Sequence, residues 1–175
     1  MNTIVRTNLV FVLLLIFVEV AAAGPTIRAV LQPADDRKPA PNFVLKDSSG
    51  HTAKLADYRG KVVLLDFWAT WCAGCKEEIA YFSGLEKMYG SKGLRVVGVS
   101  VDEGGWKVLK PFLADTKVSY RILLGDDPTA QNYGIKALPD TFLIDRKGRI
   151  AAAYTAGLVD QADVDANIKA ILEGR

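Results

Sequence analysis

Apolar residues run almost without interruption through Lys61-Val62-Val63-Leu64-Leu65-Asp66-Phe67 and again from Leu94 to Val101. Such runs are the pattern of strands covered by helices on both faces. Between them Ile79, Phe82, Leu85 and Tyr89 recur at helical spacing. They predict a helix from about Ala73 to Tyr89, closed by Gly90 and Gly93. Upstream, Phe43-Val44-Leu45 and Thr52 to Leu55 flank the turn sequence Asp47-Ser48-Ser49-Gly50 and read as a hairpin. Downstream, a helix is expected over 106–115, a short apolar segment over 119–124 and a helical turn over 128–133. Thr141 to Asp145 reads as a strand, Arg146-Lys147-Gly148-Arg149 as a tight turn, and Ile150 to Tyr154 as the returning antiparallel strand. A last helix spans 160–172, with Val164, Ile168 and Ile171 as its apolar face and Gly174 near its end. This order points to an α/β or α+β sheet sandwiched by helices.

The N-terminus has a different texture. Arg6 precedes an unbroken apolar run from Leu9 to Val18, and Ala21-Ala22-Ala23 precedes Gly24-Pro25. Residues 1–23 therefore read as an export signal. A membrane span needs about 20 apolar residues, and Glu19 ends this run early, but an uncleaved anchor stays open beside a cleaved signal. Gly24, not a cysteine, directly follows the cleavage site, which argues against a lipoprotein. Either reading places the domain outside the cytoplasm, in a bacterial periplasm, where disulfides persist. Residues 24–39 hold Pro25, Pro33 and Pro39 around Asp35-Asp36-Arg37-Lys38 and read as a plain linker. The folded domain is expected over 40–175.

Composition narrows the chemistry. The chain of 175 residues is 50% hydrophobic and 24% charged, with a formal charge of +2. Its cations are scattered, so nucleic acid is not an expected partner. Two cysteines cannot build a disulfide framework or a four-thiolate zinc site. The only histidine, His51, falls in the hairpin and reads as a surface residue.

Those two cysteines form Cys72-Ala73-Gly74-Cys75, where the first buried strand turns into the first long helix. A C-x-x-C opening a helix is the layout of a thiol–disulfide redox site, because a thiolate there meets free N–H groups and the positive end of the helix dipole. Asp66 interrupts the apolar strand. Burial there would raise its pKa, and a capped or paired core acid is the alternative. Glu78 lies three residues after Cys75 on the same helical face; a site neighbour and a solvent-facing acid both fit. Lys76 and Glu77 read as facing water. Trp68 and Trp71 read as packing and shielding groups, Trp71 being placed for substrate contact.

The segment Phe67-Trp68-Ala69-Thr70-Trp71-Cys72-Ala73-Gly74-Cys75 resembles the active-site segment of the thioredoxin superfamily. Ala137-Leu138-Pro139-Asp140-Thr141-Phe142-Leu143-Ile144-Asp145 is similar to the cis-proline segment that faces the redox site there. Pro41 to Asp47, with Leu55-Ala56-Asp57-Tyr58-Arg59-Gly60-Lys61, resembles the N-terminal hairpin of secreted or anchored TlpA/ResA-like reductases, a branch linked to cytochrome c biogenesis. The resemblance covers 40–175. It implies an α/β thioredoxin-like fold, a central mixed sheet flanked by helices, with the hairpin as an N-terminal extension. It further implies dithiol–disulfide exchange in which Cys72 attacks and Cys75 resolves. Asp66 would handle the proton of Cys75, and Glu78 would tune the site. Pro139, in cis, would lie against the disulfide, and Leu138 would line the substrate groove with Trp71. No cofactor beyond the Cys72–Cys75 disulfide and no metal is implied. The implied partners are disulfide-containing proteins, apocytochrome c among them, and a membrane thiol electron donor. An oxidase or isomerase stays open, as does a module holding Cu(I) or Zn(II), although two sulfurs are too few for a closed tetrahedral site. A peroxidase would want a lone nucleophile with threonine three residues earlier, where Ala69 stands. Two departures stand out: Gly74 replaces a proline many relatives have, and Asp140 replaces a threonine common after the cis-proline.

Overall fold

The computed structural model describes residues 26–174. A hairpin of β1 (Val44–Lys46) and β2 (Thr52–Lys54) precedes β3 (Val62–Trp68) and the long helix α1 (Ala73–Tyr89). Then follow β4 (Leu94–Ser100), α2 (Trp106–Asp115), β5 (Arg121–Leu124), α3 (Asp127–Tyr133), β6 (Asp140–Ile144), β7 (Ile150–Tyr154) and α4 (Gln161–Leu172). The strands form one sheet in the order β2-β1-β5-β4-β3-β6-β7. β3, β4 and β5 are parallel, and β6, β7 and the hairpin run antiparallel to their neighbours. The expected α/β fold with a mixed sheet and an N-terminal hairpin is therefore what forms.

β3 is the axis of the molecule, and every residue of it is buried. Side chains alternate across a strand. Val63, Leu65 and Phe67 join a core with Phe43, Leu45, Val97, Val99, Tyr133 and Phe142. Val62, Leu64 and Trp68 join the opposite core with Ile79, Phe82 and Leu85 of α1 and Val164 and Ile168 of α4. Asp66 has the parity of Leu64 and Trp68, so the strand's one charge is aimed at α1.

The segment over 119–124 becomes a strand because β4 offers it a parallel partner, Val97 to Ser100 opposite Arg121 to Leu124. That partner lies far away in sequence, and no local pattern names it. The helical turn over 128–133 grows to a full helix. Asp126 caps it by accepting the Thr129 N–H, and Gly134 closes it with φ 70°.

The linker reading needs correction. The described part of 24–39 is built into the fold. The Gln32 N–H donates to the Ala151 carbonyl at 2.8 Å, and the Ile150 N–H to that of Lys38 at 2.8 Å. Arg37, 8% exposed, donates to the Gln32 carbonyl at 3.0 Å and pairs with Asp145 at 3.4 Å. Ile27, Ala29 and Leu31 alternate and pack against the α1–α4 core, a period-two signal that the flanking prolines masked. The folded unit thus begins near Ile27 rather than Ala40. The expected signal or anchor over 1–23 lies outside the described residues. Among the described residues no helix is long and apolar enough to cross a membrane.

Candidate active site at the Cys72–Cys75 disulfide

The chain leaves β3 at Trp68 and must turn sharply to start α1. Trp68 is fully buried, its ring 5.4 Å from that of Phe112, and its carbonyl accepts the Val101 N–H at 2.9 Å. The turn is held by Asp102, buried just beyond β4. Its carboxylate accepts the Thr70 N–H at 3.0 Å, the Thr70 hydroxyl at 2.6 Å and the Ser100 hydroxyl at 2.8 Å. Asp102 lies in the loop between β4 and α2. Nothing in its local pattern marks its reach back to Thr70.

Cys72 is the N-cap of α1, and its sulfur accepts the Cys75 N–H at 3.2 Å. The two cysteines are joined in a disulfide, with Cα atoms 5.3 Å apart. Cys72 keeps 8% of its surface and Cys75 only 1%. The sulfur at the helix N-terminus is therefore the one an incoming group reaches, and the other lies behind it. Trp71 stands beside Cys72 with 69% of its surface exposed.

Leu138–Pro139 is a cis peptide bond, the conformation expected for Pro139, and Leu138 is half-buried beside it. A Cβ built on Gly74 would lie 3.1 Å from Leu158 Cδ2 and 3.8 Å from Pro139 Cδ. The C-x-x-C turn thus lies against both residues, and Leu158 fills the space a side chain at position 74 needs. This is a physical reason for glycine there.

Two buried carboxyl groups, Asp66 on β3 and Glu78 one turn after Cys75 on α1, influence one another. Asp66, 1% exposed, accepts a hydrogen bond from the Thr141 hydroxyl at 3.2 Å, while its Oδ2 has no protein partner. Burial pushes its pKa well above the ordinary range, the Glu78 charge adds to this, and the Thr141 bond opposes it. Glu78 is 4% exposed, so the solvent-facing alternative falls. Its Oε1 accepts the Val159 N–H at 2.7 Å, and its Oε2 has no protein partner. Burial raises its pKa to about 7, the Val159 bond draws it down and Glu77 pushes it up. Gly98 opposes Asp66 on β4. A Cβ there would lie 2.7 Å from Ile122 Cδ1 and 3.0 Å from Trp68 Nε1, so the bare backbone keeps the strand's packing intact. Asp140 is also buried, and its carboxylate accepts the Ala156 N–H, which turns it toward that loop. Burial raises its pKa too. Thr141, Asp102, Leu158 and Val159 are the site's neighbours that the sequence alone did not reveal.

His51 lies far from this constellation, with 78% of its side chain exposed beside Asp47.

This arrangement suits reversible thiol–disulfide exchange, and comparison with known proteins agrees. The AhpC/TSA family model matches residues 37–153. The chain belongs to that family, as a thioredoxin-fold thiol–disulfide oxidoreductase. Among its relatives, the thiol-disulfide oxidoreductase ResA of Geobacillus kaustophilus is 36% identical over 133 residues, 75% of each chain. ResA of Bacillus subtilis is 34% identical over 161 residues, 89% of this chain and 86% of the relative. Among solved structures, the thiol:disulfide interchange protein DsbE of Chlorobium tepidum superposes with a TM-score of 0.73 at 32% identity, covering 78% of this chain and 96% of that one.

Proposed function

We propose that the protein is an extracytoplasmic reductant of protein disulfides, with apocytochrome c as its client. The observation that carries this is the pair of buried acids, Asp66 on the strand that leads into the Cys72–Cys75 turn and Glu78 on the helix that follows it. The same poor solvation that holds protons on these acids disfavours a neighbouring thiolate, because burial penalises any charged form there. A strong oxidant is made in the opposite way, by stabilising its reduced form. A site that resists thiolate formation favours the disulfide in itself and so passes electrons on.

In the reduced protein the Cys72 thiolate attacks one sulfur of the client disulfide. A Cys72–client bond forms, the client S–S bond breaks, and the released client thiolate takes up a proton. Cys75 then gives its proton to Asp66 and attacks the Cys72 sulfur. The Cys72–Cys75 disulfide forms, and the second client sulfur leaves and is protonated. Two electrons have passed to the client. Glu78 sets the protonation of the acid pair. Trp71 and Leu138 line the approach, and Pro139, which has no N–H, leaves its neighbours' backbone free to pair with an extended client. The redox disulfide is the only cofactor. A membrane dithiol donor restores it, since a periplasm is held oxidising. The N-terminal segment, cleaved or retained as an anchor, provides the export.

The test is the equilibrium potential of Cys72–Cys75 against a dithiothreitol ladder, read by the fluorescence of Trp68 and Trp71. A value near about −270 mV or lower supports the reductant. One near about −120 mV, the range of DsbA, makes the protein an oxidase or isomerase instead. The client is sought with Cys75→Ser, which strands the mixed disulfide on Cys72. Recovery of an apocytochrome c, and its loss on Cys72→Ser, supports that part of the proposal.

A further inference from the structure

The N-terminal segment and the redox site meet at residues 157–160. Ile27 bridges Val159 in parallel. Its N–H donates to the Leu158 carbonyl at 2.6 Å, and its carbonyl accepts the Asp160 N–H at 2.8 Å. A Cβ at Gly157 would lie 2.9 Å from Ile27 Cγ1, so the isoleucine side chain rests directly on that backbone. The segment is pinned onward by α4: the Asp163 carboxylate accepts the Ala29 N–H at 3.0 Å, and the Asn167 amide donates to the Ala29 carbonyl at 3.1 Å.

The stretch that Ile27 grips touches the site twice. The Val159 N–H is the donor to Glu78 Oε1. Leu158 covers Gly74 beside Pro139. We infer that Ile27 is a positioning residue of the redox site, clamping Leu158 to Asp160 so that the Val159 amide stays on Glu78 and Leu158 stays over Gly74. The inference rests on the proposed proton role of Glu78. The titratable groups around Glu78 are Asp66 from β3, Tyr120 ahead of β5 and Glu77 from α1 itself, and Asp140 from β6 acts on Asp66 in turn. These are acids and a phenol. Against them the Val159 amide is a dipole that favours the ionised form of Glu78, and a dipole acts only while it is held in place.

The full-length protein with Ile27→Pro loses the N–H that binds Leu158, while Ile27→Val keeps the backbone pairing. The readout is the carbon-13 NMR titration of the Glu78 carboxyl in the oxidised protein, beside the pH profile of attack on a model disulfide after reduction. Ile27→Pro moves the Glu78 midpoint up by about one pH unit and the pH profile with it, as expected for a lost hydrogen bond to a charged group. Ile27→Val leaves both in place. Ile27→Ala, which removes only the contact with Gly157, gives a smaller shift of the same sign and serves if the proline variant does not fold. A folded Ile27→Pro or Ile27→Ala whose midpoint is unmoved, or moves down, overturns the inference. Failure of the underlying reading is distinguishable: Glu78→Gln would then leave the wild-type pH profile unchanged, whatever Ile27 does.

Discussion

A carboxyl group shut into an apolar layer must either stay protonated or find a partner, and Glu78 has only one bonded oxygen. Its folded pKa is raised to about 7, chiefly by burial. Between its ordinary value and that point the folded chain binds more protons than the unfolded one, so stability falls as pH rises. Glu78→Gln removes this slope. The variant is expected to match the parent near pH 4 and to exceed it by on the order of 2 kcal/mol above pH 7. Urea titrations of both oxidised proteins at several pH values check this, and equal slopes would disprove it. Asp66, with its pKa raised further by burial and by Glu78, adds a slope of the same sign. Its depth was expected from its place within the Val62 to Phe67 run. The Thr141 hydroxyl beside it was not, because only strand register makes them neighbours.

Elements meet at the site through a few short contacts, and two of these are open to substitution. Asp102 ties the β3–α1 turn to the end of β4 with bonds to both polar groups of Thr70. Asp102→Ala leaves the Thr70 N–H and hydroxyl without that acceptor. It is expected to cost about 2–3 kcal/mol of stability and to slow exchange at Cys72, measured by urea unfolding and by the rate of reduction of a model disulfide. The second contact joins α1 to the loop before α4. Gly74→Ala would bring a methyl to 3.1 Å from Leu158 Cδ2, and overpacking of this kind costs about 1–3 kcal/mol. Leu158→Ala in the same chain opens the space, so the double variant is expected to lose less than the sum of the two singles. Strict additivity would place Leu158 elsewhere.

At the scale of the molecule, the N-terminal segment runs beside β7, from Ile27 near the redox site to Arg37 at the far end of that strand. The Arg37–Asp145 pair, with side chains 4% and 5% exposed, fixes the far end. Asp145 also pairs with Arg149 at 2.8 Å. Arg37→Ala leaves a buried carboxylate with one cation fewer and is expected to cost about 3 kcal/mol. Thermal unfolding checks this, and a Tm within a degree of the parent would show that the segment contributes little to the fold.

Much of this architecture could be read from the amino-acid order alone. β3, α1, β4, β6 and β7 were legible because each has its own period, and a period is a local property. The C-x-x-C at a strand-to-helix junction and a proline suited to cis were legible as chemistry, since their residue types have few other uses together. What remained hidden depends on pairings between distant segments. The strand over 121–124 exists because β4 lies beside it, and the segment over 26–39 folds because β7 and α4 present matching donors and acceptors. Glu78 has the same helical phase whether it faces water or the core. Only the packing of α1 against residues 158–160 buries it, and with that burial comes the raised pKa. Local order chose the elements and the sulfur chemistry; tertiary contact chose which carboxylates lose their water, because solvation is decided by what comes to lie against a group.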